Sequence, residues 1–220
     1  MNKITLKTEA RALAIILLSL ALSLWAYPQL PLRVASHWNF WGQVDGWMSR
    51  DFHTIFFPIL LLVMYVAFLI MPSLDPKKER YIEFAGAYRM MRDAIMFVLL
   101  GVYATATFYN LNYNLNVGAI VAGSIGLLMI ILGNYFGKLK RNWFIGLRTP
   151  WTLSSENVWN KTHRLGSRLF IIWGLLVAVA PWLNFSAAMI ILLGGIVAIM
   201  ASVNIYSYLL FRKEKKEGKK

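Results

Sequence analysis

GNYFGKLKRNWFIGLRTPWTLSSENVWNKTHRLGSR, residues 133–168, is the longest polar interval between two apolar runs of this 220-residue chain. Trp143, Trp151 and Trp159 sit among seven basic residues and one acid, Glu156, with Asn142, Thr149, Thr152, Ser154, Asn157 and Thr162 as further hydrogen-bonding groups. Pro150 fixes its own φ and biases Thr149 away from the helical region. Ser154 reads as an N-cap, which places Glu156 in a first turn, where an anion suits the helix dipole. Val158, Thr162, Leu165 and Leu169 then recur at helical spacing, with Trp159 and His163 on the adjacent stripe. The interval predicts an ordered turn feeding an amphipathic helix, and the runs on either side decide the fold.

Those runs belong to a chain that is 58% hydrophobic and only 15% charged, the balance of an integral membrane protein. Six have spanning character, at 12–27, 54–71, 94–109, 117–136, 169–183 and 187–211, against about 20 residues per helical span. The third and fifth are short, so they are expected to lean on flanking amphipathic turns or to sit where the bilayer thins. None alternates as a barrel strand does, so the expected fold is an all-α integral membrane protein, one bundle of six transmembrane helices. The chain has no cysteine, which excludes disulfides and thiolate metal sites.

The net charge of +13 invites a nucleic-acid reading, but its distribution points to topology. Lys3, Lys7 and Arg11 precede the first run. Lys77, Lys78, Arg80, Arg89 and Arg92 lie between the second and third. Lys138, Lys140, Arg141, Arg148, Lys161, Arg164 and Arg168 lie between the fourth and fifth, and Arg212, Lys213, Lys215, Lys216, Lys219 and Lys220 follow the sixth. Only Arg33 and Arg50 stand between the first and second. The positive-inside rule therefore predicts N-in/C-in, with both basic loops and the basic tail in the cytoplasm, and no direct nucleic-acid binding. Two halves are expected: 1–116 holds three spans, an outer loop at 28–52 and an inner amphipathic loop at 72–92. The other, 117–220, holds three spans, an inner motif loop at 137–168 and the tail. The start reads as a span rather than a cleaved leader, because no small-x-small site precedes Trp25 and Tyr27, which look like interfacial anchors.

The outer loop carries His37, Trp38, Asn39, Gly42 and Asp45, with Gly42, Gly46 and Asp45 as turn signals and Trp38, Trp41 and Trp47 suited to headgroup level. His37, Asp45 and His53 match no zinc spacing, so a histidine satisfied by a local carboxylate or carbonyl is expected and no metal or other cofactor. The loop is either a cap that meets something extracellular or a structural plug. In the inner loop, Pro72 and Pro76 end the second span, and Tyr81, Phe84 and Tyr88 predict a short helix lying at the inner surface. The fourth run holds Gly118, Gly123, Gly126, Gly133 and Gly137, the last two a GxxxG pair for close helix contact. Asn134 within it needs a partner and is expected to tie the bundle to the following loop. Spans five and six form a hairpin around Asn184, with Gly194, Gly195 and Asn204 on the packing face of the last helix.

The cores hold no ionisable residue, Asp93 coming nearest, which argues against a proton-coupled pump. No HExxH, GxSxG or phosphate loop occurs. His163 with Glu156 and Ser154 or Ser155 can be drawn as an acid–base group, yet the i, i+7 spacing merely puts Glu156 and His163 on one helix face. No enzyme is expected.

The run RNWFIGLRTPWTLSSENVW at 141–159, with GN at 133–134 and THR at 162–164, resembles the signature of the SdpI family, the immunity proteins against sporulation-delaying toxin. LP at 30–31, HWN at 37–39, Gly42 and Asp45 resemble the small N-terminal domain that often accompanies it, with Ala35 where the family often has proline before the histidine. The resemblance implies a six-span protein of the bacterial plasma membrane that protects a Gram-positive cell from a secreted membrane-active peptide toxin. In the founding member it also implies signalling, by holding a cytosolic transcriptional repressor at the lipid bilayer. On that reading His37, Trp38, Asn39, Gly42 and Asp45 meet the toxin. Asn134, Arg141, Asn142, Gly146, Arg148, Thr149, Pro150, Trp151, Thr152, Trp159 and His163 either dock the partner or brace the bundle. A transporter or facilitator for an amphipathic compound, and a membrane enzyme acting on a lipid headgroup, are the competing classes.

Overall fold

The computed structural model describes residues 5–39, 41–182 and 184–217, so Lys3, Lys219 and Lys220 of the charge pattern lie outside it. Helix α1 spans Leu6–Ala26, strands β1 Arg33–Trp38 and β2 Val44–Ser49, helix α2 Arg50–Leu74, and α3 Ala85–Asn110 after a 3-10 turn at Lys78–Ile82. Helix α4 spans Val117–Phe136, α5 Pro150–Ser154, α6 Glu156–Val179 and α7 Phe185–Glu217. Helices α1, α2, α3, α4, α6 and α7 are long and apolar enough to cross a membrane. Leu17, Ile59, Val63, Ile190 and Val197 are each more than half exposed on them, a surface that hydrocarbon solvates and water does not. The chain is a multi-pass membrane protein.

The third and fifth apolar runs are lengthened by flanking helical turns, the first of the two expected alternatives. Helix α3 begins at Ala85 and α6 at Glu156, well before their apolar runs, and charged residues ahead of those runs find partners. In α3 the buried Arg92 donates through Nη1 to Glu9 of α1 (2.5 Å) and through Nε to Asp93 (2.9 Å), and Arg11 donates through Nε to the other Asp93 oxygen (2.9 Å). Two guanidiniums and two carboxylates thus neutralise one another where α1 meets α3. A buried charge is tolerated only in such a closed set.

Tyr81, Phe84 and Tyr88 form no surface helix. Tyr81 belongs to the 3-10 turn and Tyr88 to α3, and all three rings are buried. The Tyr88 hydroxyl donates to the carbonyl of Phe68, and the Tyr81 and Phe84 rings pack 4.8 Å apart. Aromatics at that spacing are explained by a core beneath the loop rather than by headgroups. Pro72 does not end α2, which continues to Leu74. Ser154 is not the cap of α6: Ser155 accepts the N–H of Val158, while Ser154 closes α5. Glu156 does fall in the first turn.

Backbones of α4 and α6 meet at Gly126 and Gly174, where a Cβ on either glycine would lie 2.6 Å from the other's carbonyl oxygen. One seven-residue step along, a Cβ on Gly133 would meet the Ser167 carbonyl at 2.9 Å, while one on Gly137 would meet nothing within 4 Å. The close contact therefore runs Gly126–Gly133, a heptad step that keeps one face toward α6, and not along the GxxxG pair. Gly195 lies under the Trp173 indole, Gly194 faces open space, and Asn204 bonds back to the Met200 carbonyl of its own helix. Asn134 is exposed and ties to nothing among the described residues.

The segment expected as a plain loop after α1 contains the β1–β2 hairpin, with Ala35 opposite Trp47 and an irregularity at Ser36 before His37 pairs with Gly46. Asn39 builds its turn by accepting the N–H groups of Trp41 and Gln43, and Gly42 supplies φ +76°. At the base, the Asn110 side chain of α3 pairs with both backbone groups of Ala35, at 2.7 and 3.0 Å. The hairpin thus seats on the end of α3, opposite the end that carries the ionic set.

Candidate functional sites at the two ends of the bundle

At the basic end the motif of 137–168 folds around three buried side chains. Asn142 accepts the N–H groups of Phe144 and Ile145 on one oxygen and donates to the carbonyls of Lys140 and Ile145, closing a tight loop by itself. Trp159 donates from its indole to the Leu139 carbonyl and stacks on His163 at 4.0 Å. His163 accepts the Leu147 N–H on Nε2 (2.9 Å), so Nδ1 carries the proton and meets the Trp159 carbonyl. Gly146, at φ +111°, passes so close that a Cβ would stand within 2.4 Å of Nε2. Thr149 and Thr152 form a reciprocal capping box for α5, Thr149 also bonds Ser207 of α7 (3.0 Å), and Arg141 donates to the Leu153 carbonyl.

A second polar segment locks onto this loop. Asp75 accepts the Trp143 N–H and the Tyr81 hydroxyl on one oxygen, both at 2.9 Å. Burial, then that carboxylate, pushes the Tyr81 phenol well above its ordinary pKa and keeps it a donor. Arg80 forms a two-point pair with Glu156 (2.6 and 2.7 Å), which holds its guanidinium protonated. Burial, with Arg141 and Arg80 nearby, lowers the Lys77 ammonium.

This geometry separates the predicted motif residues. Asn142, Gly146, Thr149, Thr152, Trp159 and His163 are consumed by internal contacts. Arg148, bonded to the Trp143 carbonyl at 2.6 Å, remains exposed with Trp143 and Pro150, while Trp151 is half-buried against Tyr208. The drawn acid–base group does not assemble: Glu156 is held by Arg80, His163 by backbone, and Ser154 by the Pro150 carbonyl.

At the hairpin end, His37 pairs with Asp45 through Nδ1 (2.5 Å), both exposed, the local carboxylate expected for it. His53 is apart from them, buried, with Nε2 bonded to Thr107 (3.0 Å). Beneath the hairpin lies a cavity of about 450 Å³, walled by Phe57 of α2, Ala106 of α3, Val121 and Ala122 of α4, Val177 of α6 and Leu192 of α7, with His37, Trp38 and His53 on its hairpin side. Apart from Ser36, its walls are otherwise apolar. Trp38, packed edge-on against Tyr109 at 5.2 Å, keeps its indole N–H buried with no acceptor among the described residues. Sequence reasoning singled out His37 and Trp38 but missed the cavity, whose walls are ordinary Val, Ala and Phe drawn from five helices. The one signal for it is Gly118, small where α4 lines the space.

Residues 138–207 match the SdpI/YfhL protein family, and residues 14–63 match a domain of unknown function, DUF1648. The chain is similar to "Immunity protein SdpI" of Bacillus subtilis (strain 168), 26% identical over 211 residues that cover 94% of this chain and 98% of that protein. No solved structure matches it.

Proposed function

The chain belongs to the SdpI family, and from that premise we propose that it is an immunity protein of a bacterial plasma membrane. It protects the cell from a secreted, membrane-active peptide toxin by receiving an apolar segment of that peptide in the hairpin-end cavity. The observation that carries this reading is the cavity itself, about 450 Å³ and apolar, beside the unpartnered indole N–H of Trp38. A peptide brings both apolar side chains and carbonyl acceptors. A buried donor left without an acceptor costs about 1–3 kcal/mol, so a turn of the indole that lets a ligand carbonyl reach it would be favoured by up to that much. The hairpin faces outward in this reading, with His37, Asn39, Gly42 and Asp45 shaping the entrance and the basic end in the cytoplasm.

The test is survival of a sensitive cell that expresses the chain and is challenged with sporulation-delaying toxin and with other membrane-active peptides. Protection by the parent chain and its loss in the cavity-filling variants Val121→Phe and Ala122→Phe, at equal amounts in the membrane, is the expected result. Undiminished protection by the filled variants overturns the cavity as the site.

Relay to a cytosolic transcriptional repressor is the finer half of the proposal. Arg148, Trp143 and Trp151 support it, since among the motif residues that keep open surface, with Asn134 and Pro150, they are the Trp and Arg that are enriched at interaction hot spots. The receptor cavity would then be shared, with the hairpin of the 1–116 half over walls drawn from both halves, while 117–220 holds the docking surface. Arg148→Ala with Trp151→Ala is expected to keep toxin tolerance and abolish the toxin-dependent transcriptional response. A facilitator for an amphipathic compound would use the same cavity, and flux of the peptide across proteoliposomes would mark it.

A further inference from the structure

We infer that the cleft between the first turns of α1, the first turns of α3 and the end of α4 binds the phosphate of an anionic phospholipid. The cleft measures about 600 Å³ and takes one cation from each of those three elements: Arg11, Arg89 and Lys138. Its one lining carboxylate, Glu83, is already engaged by Arg80 at 3.2 Å and by Lys140 at 3.8 Å. Arg89 and Lys138 make no ion pair among the described residues. Arg11 spends only its Nε on Asp93 and its side chain is 61% exposed, so both terminal nitrogens remain to donate. A guanidinium presenting paired N–H donors beside a second cation is the arrangement that recognises phosphate.

Position selects the source of that phosphate. Arg11 directly precedes the apolar run 12–27, Lys138 follows the last residue of α4 by two, and Arg89 precedes the run 94–109 by five. All three cations therefore stand where hydrocarbon gives way to headgroups. The floor between them is Phe84, Ala87 and Met90, and the Lys138 ammonium lies 4.6 Å from the Tyr135 ring centroid, so the site offers charge at one level and apolar surface beside it. A free anion in solution has no use for the apolar part. A diacyl phospholipid has use for both.

The experiment is native mass spectrometry of the full chain in detergent, titrated with phosphatidylglycerol, with phosphatidylcholine, and with phosphatidylglycerol in the presence of millimolar inorganic phosphate. The parent chain is expected to retain phosphatidylglycerol over phosphatidylcholine. The variant Arg89→Gln/Lys138→Gln is expected to hold it about 30-fold less well, from about fivefold per cation removed at the membrane surface. The equally neutralising tail variant Lys213→Gln/Lys215→Gln is expected to bind as the parent does. Equal retention of the zwitterionic lipid, an unchanged Arg89→Gln/Lys138→Gln variant, or equal loss in the tail variant overturns the site. Displacement of the lipid by inorganic phosphate overturns the lipid assignment and leaves a soluble anion as the ligand. Should the double variant fail to fold, Lys138→Gln alone, at an exposed position, is expected to lose about fivefold.

Discussion

Gly146 fits against the Nε2 edge of His163, the same nitrogen that accepts the N–H of Leu147 one residue on. Two conditions meet at that glycine, a φ of +111° and an approach that no Cβ can share. Gly146→Ala is expected to cost about 2–4 kcal/mol, the sum of left-handed strain and a displaced imidazole. Gly137→Ala, with nothing within 4 Å, should change stability by less than about 0.5 kcal/mol. Thermal unfolding in detergent distinguishes them, and equal midpoints would show that the motif does not depend on this contact.

The ionic set between α1 and α3 predicts an asymmetry. Asp93→Ala strands the buried Arg92 with Glu9 alone and frees Arg11, and is expected to destabilise by about 3–5 kcal/mol. Lys213→Ala, whose exposed pair with Glu217 spans 3.9 Å, should lie within about 0.5 kcal/mol of the parent. The comparison reads directly from melting curves of the two variants.

Orientation is open to a clean chemical test because the chain has no cysteine. With the basic end in the cytoplasm, Gln43→Cys in the hairpin turn is expected to react with an impermeant maleimide on intact cells. Ser154→Cys should react only after permeabilisation. The opposite pattern would invert the topology.

Ala35→Pro removes the N–H that Asn110 accepts at 2.7 Å. The hairpin should loosen by about 1–3 kcal/mol, the cost of leaving the buried amide oxygen unpaired. Hydrogen exchange of β1 and β2 would rise while that of α6 stays unchanged. Uniform exchange in both would mean that Asn110 is not what seats the hairpin.

The six spans are legible in the sequence because hydrocarbon demands long apolar runs, and α4 falls on 117–136 in both descriptions. Their true lengths are only partly so: the helical start at Glu156 is readable, but Arg92 looks like a loop residue until Glu9 is brought to it across 83 positions. The hairpin escapes for a related reason: the irregularity at Ser36 breaks the alternation by which β1 would have been recognised. Motif residues were legible as a group, but Asn142 and Arg148 look alike in a list of polar side chains. Only burial separates the one that builds the loop from the one that faces out of it.

Helix α7 has 33 residues, about 50 Å at 1.5 Å per residue, against a hydrocarbon layer of about 30 Å. Its Leu192 walls the cavity, and its Tyr208, about 24 Å further along the axis, packs on Trp151. A rigid rod of that length is a lever arm. A tilt of about 5° pivoting at Leu192 would carry Tyr208 through about 2 Å, roughly the thickness of a half-buried ring contact.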